Sequence, residues 1–219
     1  MERNVYSLVL LDEVVDAVDR AACEQNTSRS GLINRILAEY LSCPIPEMRI
    51  GSILDCMEKT LAGAEGLLVR PQPGGSTLTI RSVLRYRYRP TVRYVLELSR
   101  SGGPEIGELR VSTRTQNEDL LRELTEFFLF WSALEQRLSG SRFPGGKVPC
   151  AVSEGRYERD LVLPDERRER TDGEVAGAIC RFLREFDTDL KTYFAGDDEA
   201  RGRVEQAYRD YLETAELLL

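Results

Sequence analysis

The side chains best placed to do chemistry are arginines. In the run T-L-T-I-R-S-V-L-R-Y-R-Y-R, Thr77 to Arg89, a two-residue period puts Leu78, Ile80, Leu84, Tyr86 and Tyr88 on one face of a strand. The other face then carries Arg81, Arg85, Arg87 and Arg89, and Arg93, Arg110 and Arg114 from the next strands can join it. Guanidinium groups match phosphate bidentately and aromatic rings stack on bases, so such a face suits an anion or a nucleic acid. Charge balance prefers the other reading, in which these arginines pair with acidic helices of residues 117–219.

Other constellations carry less. Asp165-Glu166 and Asp197-Asp198 sit in polar stretches where solvated charge is the default, so neither is expected to be a catalytic dyad. Pro144–Lys147 reads P-G-G-K, without the spaced glycines and the Ser/Thr after Lys that a phosphate loop needs. The aromatic stripe Phe127, Phe128, Phe130, Trp131 is expected in the core. Cys23, Cys43, Cys56, Cys150 and Cys180 include no C-x-x-C pair and are expected to be reduced thiols, mostly buried. Histidine is absent, which excludes Ser-His-Asp triads and His-bearing metal sites. No catalytic residue, metal or cofactor is expected, and no enzyme.

The elements that must position these residues follow from pattern. The 219 residues, 42% hydrophobic and 31% charged, suit an ordinary globular chain of one large domain or two smaller ones. The net charge of −7 is uneven: residues 1–50 carry 5 basic and 8 acidic side chains, residues 51–116 carry 10 and 6, and residues 117–219 carry 15 and 23. Bulk charge therefore argues against coating nucleic acid, and any contact must be local. No apolar run approaches the ~18 residues of a membrane span, so a cytoplasmic protein without membrane contact is expected.

Val5–Leu10 reads as a short strand. Asp12 is a candidate N-cap for a first helix bearing Val14, Val15, Val18, Ala21 and Ala22, which ends at Asn26 in the left-handed conformation. Ser28 caps a second, whose stripe is Leu32, Ile33, Ile36, Leu37, Tyr40 and Leu41. Cys43 to Pro46 is the best linker. Beyond it the pattern predicts a helix at about 50–68 and a three-stranded antiparallel meander at about 77–114, with strands at Thr77–Tyr88, Thr91–Leu98 and Glu105–Thr113. Helices at about 117–138, 175–194 and 198–218 follow, with one hairpin at Glu154-Gly155 between them.

A strand and two helices in ~40 residues cannot bury a core without help, and dimerisation is the remaining route. The stretch L-L-D-E-V-V-D-A-V-D-R-A-A-C-E-Q-N-T-S-R-S-G-L-I-N-R-I-L-A-E-Y-L, Leu10 to Leu41, resembles the ribbon-helix-helix (Arc/MetJ/CopG-like) superfamily, over under a fifth of the chain. The resemblance implies a homodimer whose paired strands lie in the DNA major groove. By register it places Tyr6, Leu8 and Leu10, with Val14, Val18, Ile33 and Leu37, in the dimer core, and Val5, Ser7 and Val9 toward the bases. DNA-binding members usually present Arg, Lys, Thr, Asn or Gln there, so two valines and a serine depart from the pattern. The helix start at Ser28, Arg29 and Ser30 suits a backbone phosphate, the role the resemblance implies, while the residues alone equally suit a helix cap at Ser28 and a solvated charge at Arg29.

The whole reads as α+β. A ribbon-helix-helix domain at 1–43 precedes an α+β unit at 44–219, an α-β-β-β-α arrangement with additional helices that senses a small molecule or contacts a partner. The expected function is a dimeric DNA-binding transcriptional regulator. Alternatives are an interaction protein using the ribbon only to dimerise, and a plasmid mobilisation or partition accessory protein. A histidine-ligated nickel site, which some two-domain relatives of that family use, is impossible here.

Overall fold

The computed structural model describes residues 5–43, 45–64, 66–71, 75–100, 104–163, 170–196 and 198–219. Asp165-Glu166 and Asp197 lie outside them.

Two helices open the chain, α1 (Asp12–Glu24) and α2 (Arg29–Tyr40). The N-cap of α1 is Leu11, not Asp12; Asp12 and Glu13 instead sit in the first turn, where carboxylates favour the positive end of the helix dipole. Asn26 takes φ 50° between the helices, as its short polar side chain allows. Ser28 caps α2, its hydroxyl accepting from Gly31 N at 3.1 Å. Val5–Leu10, expected as a strand, forms none in the single chain, where it has no strand partner among the described residues.

Next comes α3 (Pro46–Leu61), which starts four residues earlier than the periodicity suggested because Pro is well suited to a first helical turn. It also ends earlier: Gly66 at φ 83° turns the chain into β1 (Leu67–Pro71), so Leu67 and Leu68 are strand, not helix. The meander follows as β2 (Thr77–Val83), β3 (Thr91–Leu98) and β4 (Glu105–Thr113), then α4 (Glu118–Ser139). The expected hairpin is β5 (Cys150–Ser153) and β6 (Arg156–Val162). Two helices close the chain, α5 (Asp172–Tyr193), held by a Thr171–Glu174 capping box, and α6 (Ala200–Thr214).

The meander is therefore the middle of a larger sheet, ordered β1-β2-β3-β4-β6-β5 and antiparallel throughout. Alternation decides its two faces. Leu78 and Ile80 of β2, Tyr94 and Leu96 of β3, Leu109 and Val111 of β4, and Tyr157 and Leu161 of β6 are buried on one face. The helices α3 to α6 cover that face, and Phe127, Phe128 and Trp131 of α4 meet Phe186 of α5 and Tyr208 of α6 there, ring centroids 5.0–6.2 Å apart. On the opposite face most side chains are exposed or half-buried, and no described element covers them. The main core runs from Ile50 to Leu219 and includes no residue of 5–43.

Candidate nucleic-acid interface

In the N-terminal unit the base-facing candidates Val5, Ser7 and Val9 are exposed, Val5 fully. The dimer-core candidates are largely uncovered too: Tyr6 is 81% exposed, Leu8 63% and Leu37 46%, Leu10 and Val14 are also exposed, and Val18 and Ile33 are half-buried. At the start of α2 the amides of Arg29 and Ser30 have no acceptor among the described residues, as the first turn of a helix leaves them. Gly31 packs closely beside them: a Cβ there would lie 2.9 Å from the Thr27 hydroxyl, which would have to shift.

Arg29 is engaged. Its Nε donates to Asp19 Oδ1 at 2.6 Å and its Nη2 to Asp19 Oδ2, a two-pronged bridge between α2 and α1. The Arg29 hydrogen bond holds the Asp19 carboxyl below its ordinary range. Both groups are exposed, so a phosphate would compete with Asp19 for the guanidinium.

The basic sheet is more selective than its sequence suggested. The strand stops at Val83: Tyr88 and Arg89 take positive φ (64° and 46°), and Leu84 N donates to Pro90 O at 2.9 Å to close a reversal. Arg85, Arg87 and Arg89 therefore belong to an exposed turn, not to the strand face, while Arg81 and Arg93 stay on it. Tyr86 anchors the turn, its hydroxyl donating to Glu123 Oε1 at 3.0 Å and its ring edge-on to Phe194 at 5.7 Å. Tyr88 stands 95% exposed.

Strand register joins these residues into a row across the uncovered face, Leu68, Arg81, Arg93, Ser112 and Arg156. The preferred expectation of pairing with acidic helices fails for Arg81 and Arg93: they point away from the helices and have no ion-pair partner among the described residues. Arg110 does pair, but with its strand neighbours Glu97 and Glu108, the latter at 3.4 Å. Arg114 is exposed beyond the end of β4. Arg70 and Arg156 join the basic end, and sequence reasoning passed over both. Arg70 borders the run taken for a helix, and Arg156 became a neighbour only once β6 paired with β4.

No family model, no curated protein and no solved structure matches this chain.

A buried polar network escaped the sequence altogether. Arg159 on β6 and Glu135 on α4 are fully buried and bonded, Nη2 to Oε1 at 2.8 Å and Nε to Oε1 at 3.0 Å. Tyr157 donates to Glu135 Oε2 at 3.0 Å, Arg159 also donates to the Leu219 carbonyl, and its guanidinium lies 4.9 Å from the Phe143 ring centroid. Burial opposes the Arg159 charge, yet Glu135 holds its pKa above the usual arginine value. Such a pair locks β6 to α4, with no access for a substrate.

Two further carboxylates are buried on α5. Asp187 accepts from Tyr94 at 2.7 Å and Lys191 at 2.6 Å. Asp189 has no hydrogen-bond partner on either oxygen among the described residues, and burial, then Glu185, pushes its pKa up to about 8. Of the thiols only Cys180 is buried, its pKa pushed up to about 11 by that burial; Cys56 and Cys150 are half-buried, and Cys23 and Cys43 are exposed, because the N-terminal unit has little interior to hide them. Gln136 braces the Pro144–Lys147 segment, donating to Gly146 O at 2.9 Å and accepting from Val148 N at 3.0 Å. Depressions beside Asp187 and Lys191, and beside Lys147 and Cys150, are both open to solvent. No described helix is long and apolar enough to cross a membrane.

Proposed function

We propose that this chain is a dimeric DNA-binding transcriptional regulator of ribbon-helix-helix type, with the α+β body as its sensing or partner-binding part. The observation that carries the reading is the apolar face left open by residues 5–41. Tyr6, Leu8, Leu10, Val14 and Leu37 are all exposed in a single copy, beside two helices of the expected lengths. So many exposed large apolar side chains in one short unit favour an interface. A second copy of the same segment is the occupant that the resemblance supplies, pairing Val5–Leu10 of each protomer. The free amides of Arg29 and Ser30 support a phosphate contact on the outside of such a dimer.

One observation favours a second reading, a dimeric interaction protein that does not hold DNA. The outward residues Val5 and Val9 offer no hydrogen bond, and Arg29 is already bridged to Asp19. Selection of bound duplex from a random pool at moderate salt, with Ser7→Ala and Arg29→Ala as controls, separates the two. The regulator predicts an enriched sequence and weaker binding by both variants. No enrichment, with both variants behaving as wild type, leaves the interaction protein.

A further inference from the structure

We infer that the uncovered sheet face carries a second DNA contact, a phosphate-binding row at its basic end formed by Arg81, Arg93 and Arg156. The inference rests on the reading of the chain as DNA-binding and adds a surface that the N-terminal unit does not contain.

The face is polarised along the strands. At one end Glu97, Glu108 and Asp160 stand side by side across β3, β4 and β6. Two rows toward the other end, Arg81 faces Arg93 directly across β2 and β3, and Arg156 follows two strands on, past Ser112. The intervening row adds Arg70 on β1, and the turn beyond the strand ends adds Arg85 and Arg87, both exposed.

Like charges directly opposite on neighbouring strands repel, and this pair has no compensating partner among the described residues. The same sheet neutralises its other arginines where it can: Arg110 with Glu97 and Glu108, and Arg156 loosely with Glu158 at 3.7 Å. Arg81 and Arg93 have no such partner among the described residues. An external polyanion removes the repulsion and gains two bidentate donors at once.

The dimensions fit a duplex backbone. Three strand spacings separate Arg81 from Arg156, about 14 Å at ~4.8 Å each. That spans about four axial rises of one DNA strand at ~3.4 Å per phosphate. No aromatic ring on which bases could stack lies on this row, whose other members are Leu68, Ser112 and Ser153, so the contact is to backbone and independent of sequence.

The test uses the full chain and labelled duplexes, one of mixed sequence and one enriched by selection, titrated between 50 and 200 mM salt. Each phosphate contact contributes roughly fivefold in affinity near 0.15 M salt and about 0.9 to the salt slope. Arg81→Ser with Arg93→Ser is therefore expected to weaken both duplexes about 30-fold per engaged protomer and to flatten the slope by about two. Its melting temperature should be unchanged or higher, since the repulsion has gone. Arg81→Lys with Arg93→Lys should restore the slope. If the serine variant is folded and binds as wild type with an unchanged slope, the row is not a DNA contact, and the N-terminal reading stands. If Ser7→Ala with Arg29→Ala binds as wild type while the Arg81/Arg93 variant fails, the row stands and the N-terminal reading falls. Absence of wild-type binding at 50 mM salt overturns both.

Discussion

Arg159 and Glu135 illustrate how one residue pair can hold two layers together. A buried pair gains little over a well-packed apolar pair, but removing one partner strands a charge and typically costs about 3–5 kcal/mol. Glu135→Gln is expected to lower stability by an amount of that order, and Glu135→Leu with Arg159→Met to recover most of it, both measured by denaturant unfolding. Equal loss in the single and double variants would mean that a stranded Arg159 charge is not the source of the cost. Asp189 makes the opposite kind of statement. Its carboxyl is held to about 8 against an ordinary 3.8, by burial first and then by Glu185. The folded chain therefore keeps that proton where the unfolded chain releases it. This group's contribution is intact below about pH 4, falls as pH rises, and levels off above about pH 8. Asp189→Asn should gain stability relative to wild type steadily between pH 4.5 and 8, read from melting temperatures across that range. Parallel curves would exclude Asp189 as the source. Part of the slope should persist, because burial and Asp210 raise Glu185 as well.

At the scale of elements, the long amphipathic helices and the strands β3 and β4 were legible because periodicity and turn residues agreed there. Where they disagreed, reading from sequence failed in identifiable ways. Leu67–Val69 is a short apolar run that fits helix or strand equally, and only the positive φ of Gly66 decides it. The R-Y-R-Y-R alternation continued the strand pattern past Val83, but Tyr88 and Arg89 at positive φ turn the chain back before Pro90, which has no N–H for a ladder. Arg159 escaped because no strand bounds are legible around it, and only the period of β6 places it inward between Tyr157 and Leu161. Of the candidate interface, the Arg81–Arg93 pairing needed the register of β2 on β3, a long-range fact that no local pattern contains. The N-terminal apolar residues are the reverse case, legible in pattern yet uncovered in one copy. Leu8→Glu places a charge at the centre of the expected ribbon and should convert dimer to monomer in sedimentation equilibrium at micromolar concentration. A dimer of unchanged strength would assign self-association to another surface.

The whole molecule divides its burial unevenly, and that division has a thermodynamic signature. All of the main core lies between Ile50 and Leu219, while residues 5–43 contribute only Ala22, Leu32 and Ala38 as buried apolar side chains of their own. In the proposed dimer a unit with so little interior draws its stability from association, and association free energy changes with concentration by about 1.4 kcal/mol per tenfold. The body has a complete core and no such dependence. Two heating transitions are therefore expected, the first moving down by about 5–10 °C on tenfold dilution, as a unit of about 80 residues per dimer implies, and the second fixed. Leu8→Glu should shift only the first transition and Glu135→Gln only the second, because the altered groups share no core. A single transition insensitive to dilution and shifted by both variants would mean that residues 5–43 are stabilised by the body and not by a second copy.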